Sequence, residues 1–336
     1  MSLVITALII SYCSTPSQAY EVVAHRGVHQ EYHRDELEMD TCTANRIKSS
    51  THSFLENTLE SIEKAFEYGA TMVEVDVHPT SEANPTENKL VVFHDWTLNC
   101  RTNASSENGC KADEQSQCVT DQQSWNYLKT LDIGYGYTAD NGETFPFRGK
   151  GIGKMPTLIE AADLLSKHPN KKILINVKDK YERTQKLLLK ELGSLPESIR
   201  NRIYVEHWKS FEKDFSDIGV QAAIYQKKYT KECLQRYFLT GWFGMIPKEC
   251  HNLKFFIPLH QDLEMLSKWL KGIELTSLIW GWPNRFIEQM NSNGSEVYLS
   301  FVETKEDLDF AKAHAFSGIM TNHIEVIGPL LKGAGQ

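Results

Sequence analysis

The 336-residue chain has no excess of positive charge, no long apolar run and no zinc-type cysteine spacing. Each absence removes a class of function. A formal net charge of −8 offers no footprint for nucleic acid, whose binding needs a basic face, and anionic membrane surfaces are disfavoured for the same reason. The apolar stretch Leu3–Ile10 is far too short to span a bilayer, so no stable membrane span is expected. There is no CxxC, and Cys110 and Cys118 stand eight apart, which argues against structural zinc. No Gly-rich phosphate loop follows the first predicted strand, which counts against an open dinucleotide-binding sheet. No internal repeat or low-complexity tract stands out.

What is present fits an ordinary globular protein, 41% hydrophobic and 24% charged. The length suits one large α/β barrel or two medium domains. At the start, the apolar run followed by Ser17-Gln18-Ala19 reads as a secretory signal peptide over residues 1–19, although no Lys or Arg precedes it. Cys13 raises a lipoprotein alternative, for which Tyr12 is a poor fit. The expected localisation is secreted or periplasmic. Removal of Cys13 would leave six cysteines, an even number that suits disulfides in an exported chain.

Short apolar runs alternate with helical periodicity along the rest. Strands are expected at residues 20–24, 72–77, 90–93, 173–178, 203–205 and 222–225, near Phe255 and Leu278, and at 297–301 and 318–320. Helices are expected at 58–68, briefly near 125–131, from 157, at 182–192, near Phe211, and at 262–270, 284–290 and 305–314. Alternating strands and helices argue for a parallel sheet, and their number for a closed TIM-type (β/α)8 barrel. Residues 20–336 then form a single domain. Residues 28–55 are a long loop after strand 1, and about 96–156 an insertion after strand 3.

Four polar clusters stand out: His25-Arg26-Gly27, Glu56-Asn57-Thr58, Glu74-Val75-Asp76 and His94-Asp95. Three of them end an apolar run, where a barrel enzyme keeps its chemistry. Two histidines can share acid and base duty near neutral pH, and His25 and His94 are the candidates. Arg26 offers a forked donor for phosphate oxygens, or a salt bridge within the barrel mouth. Glu74 and Asp76, two apart on a strand, face the same way. Their repulsion is relieved by one hard divalent cation, Ca²⁺ or Mg²⁺. Glu56 is a further ligand or a helix cap. His29, His33, His52 and His78 read by default as solvated loop residues, with His29 and His33 the two that could instead edge the site. Trp282, within Trp280-Gly281-Trp282-Pro283, either stacks on a quaternary ammonium group or packs in the barrel.

These clusters, with Leu98-x-x-Arg101-Thr102, Met155-Pro156-Thr157-Leu158-x-Glu160 and Gly318-Ile319-Met320-Thr321-Asn322, resemble the glycerophosphodiester phosphodiesterase family. Four ordered motifs on one chain make a specific signal. The resemblance implies metal-assisted hydrolysis of a glycerophosphodiester, or a lysophospholipid-like substrate, to glycerol phosphate and an alcohol. It thereby implies a role in lipid and glycerol metabolism. It also implies an acidic ligand in a Glu-x-Lys segment, where this chain has Asn176-Val177-Lys178. Lys178 keeps its expected place as a phosphate partner, while Asn176 offers the cation only a neutral carbonyl oxygen. Glu206 is a candidate to compensate. The competing readings are a related barrel phospholipase, of the sphingomyelinase D or phosphatidylinositol phospholipase C type, and a phosphodiester-binding protein without catalysis. From loop placement, the cysteines are expected to pair as Cys42–Cys100, Cys110–Cys118 and Cys233–Cys250, one of fifteen connectivities.

Overall fold

The structure is a computed structural model that describes residues 20–34, 41–179, 181–206, 209–223, 227–258 and 284–333. The signal segment, the elements expected near 262–270 and Leu278, and Trp282 lie outside these residues. The strands are β1 (Glu21–His25), β2 (Met72–Pro79), β3 (Leu90–Val92), β4 (Lys172–Val177), β5 (Ile203–Val205), β6 (Gln221–Ala222), β7 (Lys254–Pro258), β8 (Glu296–Ser300) and β9 (Gly318–Thr321). The helices are α1 (Leu59–Tyr68), α2 (Trp125–Leu128), α3 (Leu158–Lys167), α4 (Glu182–Gly193), α5 (Glu197–Arg200), α6 (Glu212–Asp217), α7 (Lys227–Thr240), α8 (Asn284–Ser292), α9 (Lys305–Ala313) and α10 (Ile324–Gly333).

The sheet runs β6-β5-β4-β2-β1-β9-β8-β7, with β3 attached to β2. Apart from β2–β3, every pairing is parallel. This is the strand order of a TIM-type barrel, and the interior shows the sheet curling on itself. Val23, Met72, Leu174, Ala223, Tyr298 and Met320, with Tyr204 and Phe256, form one apolar cluster drawn from all eight barrel strands or their ends. Below it, the Lys254 ammonium of β7 reaches over the Tyr204 ring of β5, 4.8 Å from its centre. Lys172 pairs with Glu21 there, and Lys254 with Glu296. Residues between these inward positions, such as Ala24, Val73, Val75, Ile173, Ile175 and Ile319, pack outward in the larger core shared with the helices.

β3 departs from the simple barrel sequence. It pairs antiparallel with β2, Val92 opposite Val77 and Leu90 opposite Pro79. The apolar run Leu90–Phe93 is therefore the returning arm of a hairpin, not a barrel strand, and β4 is the third strand of the barrel. An apolar triplet has the same composition in either direction, so the sequence could not distinguish the two. The return arm points down into the mouth and delivers His94 to it.

Local signals account for the helix that matters most to the site. Thr58 caps α1, exchanging bonds with Ser61, and Gly69 ends it at φ 117°, a left-handed conformation suited to glycine. Residues 41–55 and 91–155 contribute Ile47, Leu55, Phe93, Leu98, Leu128, Leu131, Phe147 and Met155 to a second apolar cluster over the barrel. Disulfides join Cys42 to Cys100, Cys110 to Cys118 and Cys233 to Cys250, the expected pairing. The first ties the long loop to the segment after β3. Three helices escaped the sequence reading, α5, α7 and α10: α5 is a single turn, α7 has a weak apolar stripe, and Pro329 interrupts the pattern of α10.

Glu191 of α4 generates a prediction about stability. One carboxylate oxygen accepts the Leu90 N–H at 3.0 Å, while the other is buried without a partner. Burial pushes its carboxyl up to about 7. The folded chain therefore holds this proton more tightly than the unfolded chain, and stability falls as pH rises from the usual carboxylate range to about 7. Glu191→Gln, which keeps an acceptor, should melt above the wild type at pH 8 and close to it at pH 4.5, as read by thermal denaturation at both pH values.

Candidate active site

The period of two that fills the barrel with apolar side chains continues upward into polar ones. Above Val23 of β1 comes His25, above Met72 of β2 come Glu74 and Asp76, above Leu174 of β4 comes Asn176, and beyond Met320 of β9 comes Asn322. The register sets His25 level with Glu74, and Asp76 level with Asn176. Phe93 N–H donates to the Asp76 carbonyl at 2.9 Å, which brings His94 in beside them.

The chain turns sharply after β1. Arg26 has φ 59° and Gly27 φ 76°. A Cβ on Gly27 would stand 2.6 Å from the Ser61 hydroxyl, so only glycine fits against the start of α1. The turn aims Arg26 back at the mouth, where Nε lies 3.1 Å from Asp76 and Nη1 3.3 Å from Glu56. Asn57, also left-handed at φ 57°, donates to Asp76 Oδ2 at 3.0 Å and accepts the Asp76 N–H at 3.2 Å. The Glu-Asn-Thr cluster thus divides its work: Glu56 binds arginines, Asn57 holds Asp76, and Thr58 caps the helix.

Three cations, Arg26, Arg101 and Lys178, face four carboxylates, Glu56, Glu74, Asp76 and Asp95. Burial alone would raise Asp76, but Lys178, at 2.9 Å, and Arg26 outweigh it and hold the group well below the usual range. Arg101 and Arg26 do the same for Glu56. Glu74 has no such partner. Burial and the neighbouring Asp76 charge push it up, and its Oε1 is buried without a hydrogen bond. The cluster is one positive charge short, and the shortage sits on Glu74.

Both histidines stand at the mouth, their side chains 16% and 17% exposed. Burial and the Arg26 charge lower both, His25 the more strongly, so both rings are neutral at pH 7. His94 Nδ1 lies 2.6 Å from Asp95, whose other oxygen accepts from Arg101 Nε at 2.7 Å. Nδ1 of His25 lies 2.6 Å from Asn322 Oδ1, and Nε2 is 3.8 Å from Glu74. Arg101 also donates to the Tyr137 hydroxyl and to Thr43, each at 2.6 Å, and pairs with Glu56 at 3.1 Å.

The structure therefore brings together His25, His94, Arg26, Lys178, Glu74, Asp76, Glu56 and Asn176. Asn176 donates to Asp76 at 3.3 Å. Sequence reasoning assigned no role to Asp95, Arg101 or Asn322, although all three lie within the motifs it singled out. It also took His29 and His78 for solvated residues, and both are buried. His29 reaches Asn322, and His78 donates to the His94 carbonyl at 3.0 Å while its ring lies beside Trp96. Their flanking residues are polar because they line the mouth, which sequence composition cannot tell from a loop surface.

Among the described residues no three of His, Cys, Asp and Glu form a ready-made metal shell. The residues nonetheless fit one hard cation: Glu74 presents an unpartnered buried oxygen, Asp76 shares its face, and Asn176 offers an amide oxygen. Glu56 has both oxygens on arginines, and Asp76 has Oδ1 on Lys178 and Oδ2 on Arg26, so Glu74 is the carboxylate with an oxygen to spare.

A sequence profile of the glycerophosphoryl diester phosphodiesterase family matches residues 25–228. No curated protein matches the chain in sequence. Among solved structures, the glycerophosphoryl diester phosphodiesterase domain of an uncharacterized Mycobacterium tuberculosis protein is similar, with 17% identity and a TM-score of 0.61, over 91% of this chain and 96% of that one. A glycerophosphodiester phosphodiesterase from Agrobacterium tumefaciens aligns over 92% and 99%, with 14% identity and a TM-score of 0.53. One from Thermotoga maritima aligns over 93% and 98%, with 17% identity and a TM-score of 0.52.

Removing the Arg101 charge leaves Asp95 and Glu56 buried without it. Arg101→Met should cost about 3–5 kcal/mol of stability, the usual consequence of breaking a buried ion pair from one side. Urea denaturation of the two proteins measures it, and Arg101→Lys, which pairs with fewer partners at once, should fall between them.

Proposed function

This chain belongs to the glycerophosphoryl diester phosphodiesterase family, and we propose that it hydrolyses glycerophosphodiesters with His25 and His94 as its acid–base pair and one divalent cation, Ca²⁺ or Mg²⁺. The observation that carries the reading is that two histidines flank one carboxylate pair, each with Nδ1 against a fixed oxygen. Each ring then turns Nε2 to the mouth. Asp95 behind His94 favours the charged ring, which suits the group that gives a proton to the leaving alcohol. The Asn322 amide behind His25 adds no charge, which suits the group that takes a proton from the attacking hydroxyl or water.

Arg26 and Lys178 supply the positive wall for the phosphate, and the substrate's negative charge raises both histidines toward working pH. Glu74, Asp76 and Asn176 would hold the cation, with Glu56 assigned to orienting Arg26 and Arg101. When bound, the ion neutralises charge that develops on the phosphate oxygens. The substrate is a small glycerophosphodiester or a lysophospholipid-like molecule. Three disulfides suit an oxidising compartment, and we place the enzyme outside the cytoplasm, with residues 20–336 as one phosphodiesterase domain.

The test is release of glycerol phosphate from glycerophosphocholine, with and without chelator. A sphingomyelinase-type or phosphatidylinositol-type enzyme would spare this substrate and cleave its own lipid, and a binding protein would cleave neither. His25→Ala or His94→Ala should lower turnover by about 10²–10⁴-fold with the fold intact. Near-normal turnover in either variant removes that histidine from the mechanism.

Asn176 yields a separate expectation. A set of ligands with fewer charges binds a hard cation more weakly, so Asn176→Glu should need less added Ca²⁺ or Mg²⁺ for half-maximal activity. An unchanged midpoint in a cation titration after chelator treatment would mean that Asn176 does not touch the ion.

A further inference from the structure

The motif closing the last strand, Gly318–Asn322, contributes a side chain whose orientation behind His25 has a cause of its own. Asn322 is 1% exposed and stands just beyond β9, next to β1 in the sheet. Its Oδ1 lies 2.6 Å from His25 Nδ1 and 3.2 Å from His29 Nε2. Its Nδ2 donates to Glu303 Oε1 at 2.8 Å. Glu303 is in turn paired with Arg34 from the long loop, whose guanidinium lies 5.3 Å from the centre of the Phe301 ring.

Glu303 sets the hydrogen-bond assignment around His25; His29, whose Nδ1 lies 2.9 Å from the Gln30 carbonyl, cannot donate to two acceptors while neutral, so its longer 3.2 Å approach to Asn322 does not decide it. An ionised carboxylate only accepts, so the Glu303 side chain must face the NH₂ of Asn322 rather than its oxygen. The amide oxygen therefore points at the two rings. An amide oxygen also only accepts, so His25 must carry its proton on Nδ1. Nε2 is then a bare lone pair facing the mouth. Without Asn322 the balance reverses, because which ring nitrogen carries the proton is set by the partner of the other, and a neutral imidazole with no acceptor at Nδ1 favours the Nε2–H form. A histidine protonated on Nε2 cannot accept a proton from a nucleophile.

We infer that Asn322 is a positioning residue that selects the His25 tautomer, and that Glu303, held by Arg34, sets which way the Asn322 amide points. The catalytic part of this inference rests on the reading of His25 as base. The tautomer part rests on hydrogen bonding alone. It also gives the long loop a task at the site: with His29, Arg34 is where the loop touches the chain of contacts that ends on His25.

The test combines ring-nitrogen NMR of ¹⁵N-histidine protein with steady-state kinetics on glycerophosphocholine. In the wild type, His25 should show a protonated Nδ1. Asn322→Leu should move that proton to Nε2 and lower kcat about 10²-fold with KM little changed, since the wrong tautomer removes the base but not the binding groups. Glu303→Leu, which frees the amide to turn, should lower kcat about 10-fold, and Glu303→Gln, which restores an acceptor, should recover most of it. In the double variant Asn322→Leu/Glu303→Leu, kcat should match that of Asn322→Leu alone, because both act through one group. A wild-type His25 protonated on Nε2, or a Glu303→Leu protein with unchanged ring signals and unchanged kcat, overturns the inference. Glu303 is partly exposed, so its variants decide the matter even if Asn322→Leu fails to fold. If the wild type cleaves no glycerophosphodiester, the proposed reaction falls, while the NMR result still judges the tautomer.

Discussion

The Arg101 guanidinium is almost completely shielded from water and touches four separate parts of the chain. Thr43 comes from the long loop, Glu56 from the approach to α1, Asp95 from the hairpin arm and Tyr137 from the insertion. A buried guanidinium is tolerated only when its donors are satisfied and its charge is met, so these four segments must arrive together or not at all. The disulfide Cys42–Cys100 lies one residue from Thr43 on one side and one residue from Arg101 on the other. Covalent closure and ion pairing therefore act on the same junction.

Through this junction the segments outside the barrel reach the chemistry. Arg101 fixes Asp95, which fixes His94. It also shares Glu56 with Arg26, which pairs with Asp76. On the opposite side, Arg34, Glu303 and Asn322 do for His25 what Arg101 and Asp95 do for His94. The two supports differ in charge: a carboxylate stands behind one ring and an amide behind the other. In the mechanism we propose, that difference separates the roles of two otherwise identical side chains.

Electrostatics also explain why the polar mouth can sit on an apolar plug. Each carboxylate except Glu74 has a cation in contact, and these contacts offset the cost of burial. The remaining strain is concentrated on Glu74, which has one buried oxygen without a hydrogen bond. A site organised in this way is poised to accept positive charge, as a proton or as an ion.

Much of this was determined by the sequence alone. Apolar triplets ending in His25 and Glu74, the Thr58 cap, the Gly69 stop and the strand–helix alternation follow from local periodicity and turn chemistry. The expected TIM-type barrel rests on them. The cysteine pairing followed from which loops share a rim. Only the tertiary structure decided the direction of β3, because a three-residue apolar strand carries no directional signal. It alone decided that Glu56 meets arginines rather than capping a helix, and that His29 and His78 are enclosed. Above all, it decided the partners of Arg101 and Asn322. Those partners lie up to 58 and 297 residues away in the chain, and a long-range contact between polar side chains leaves no periodic trace in the sequence from which it could be read.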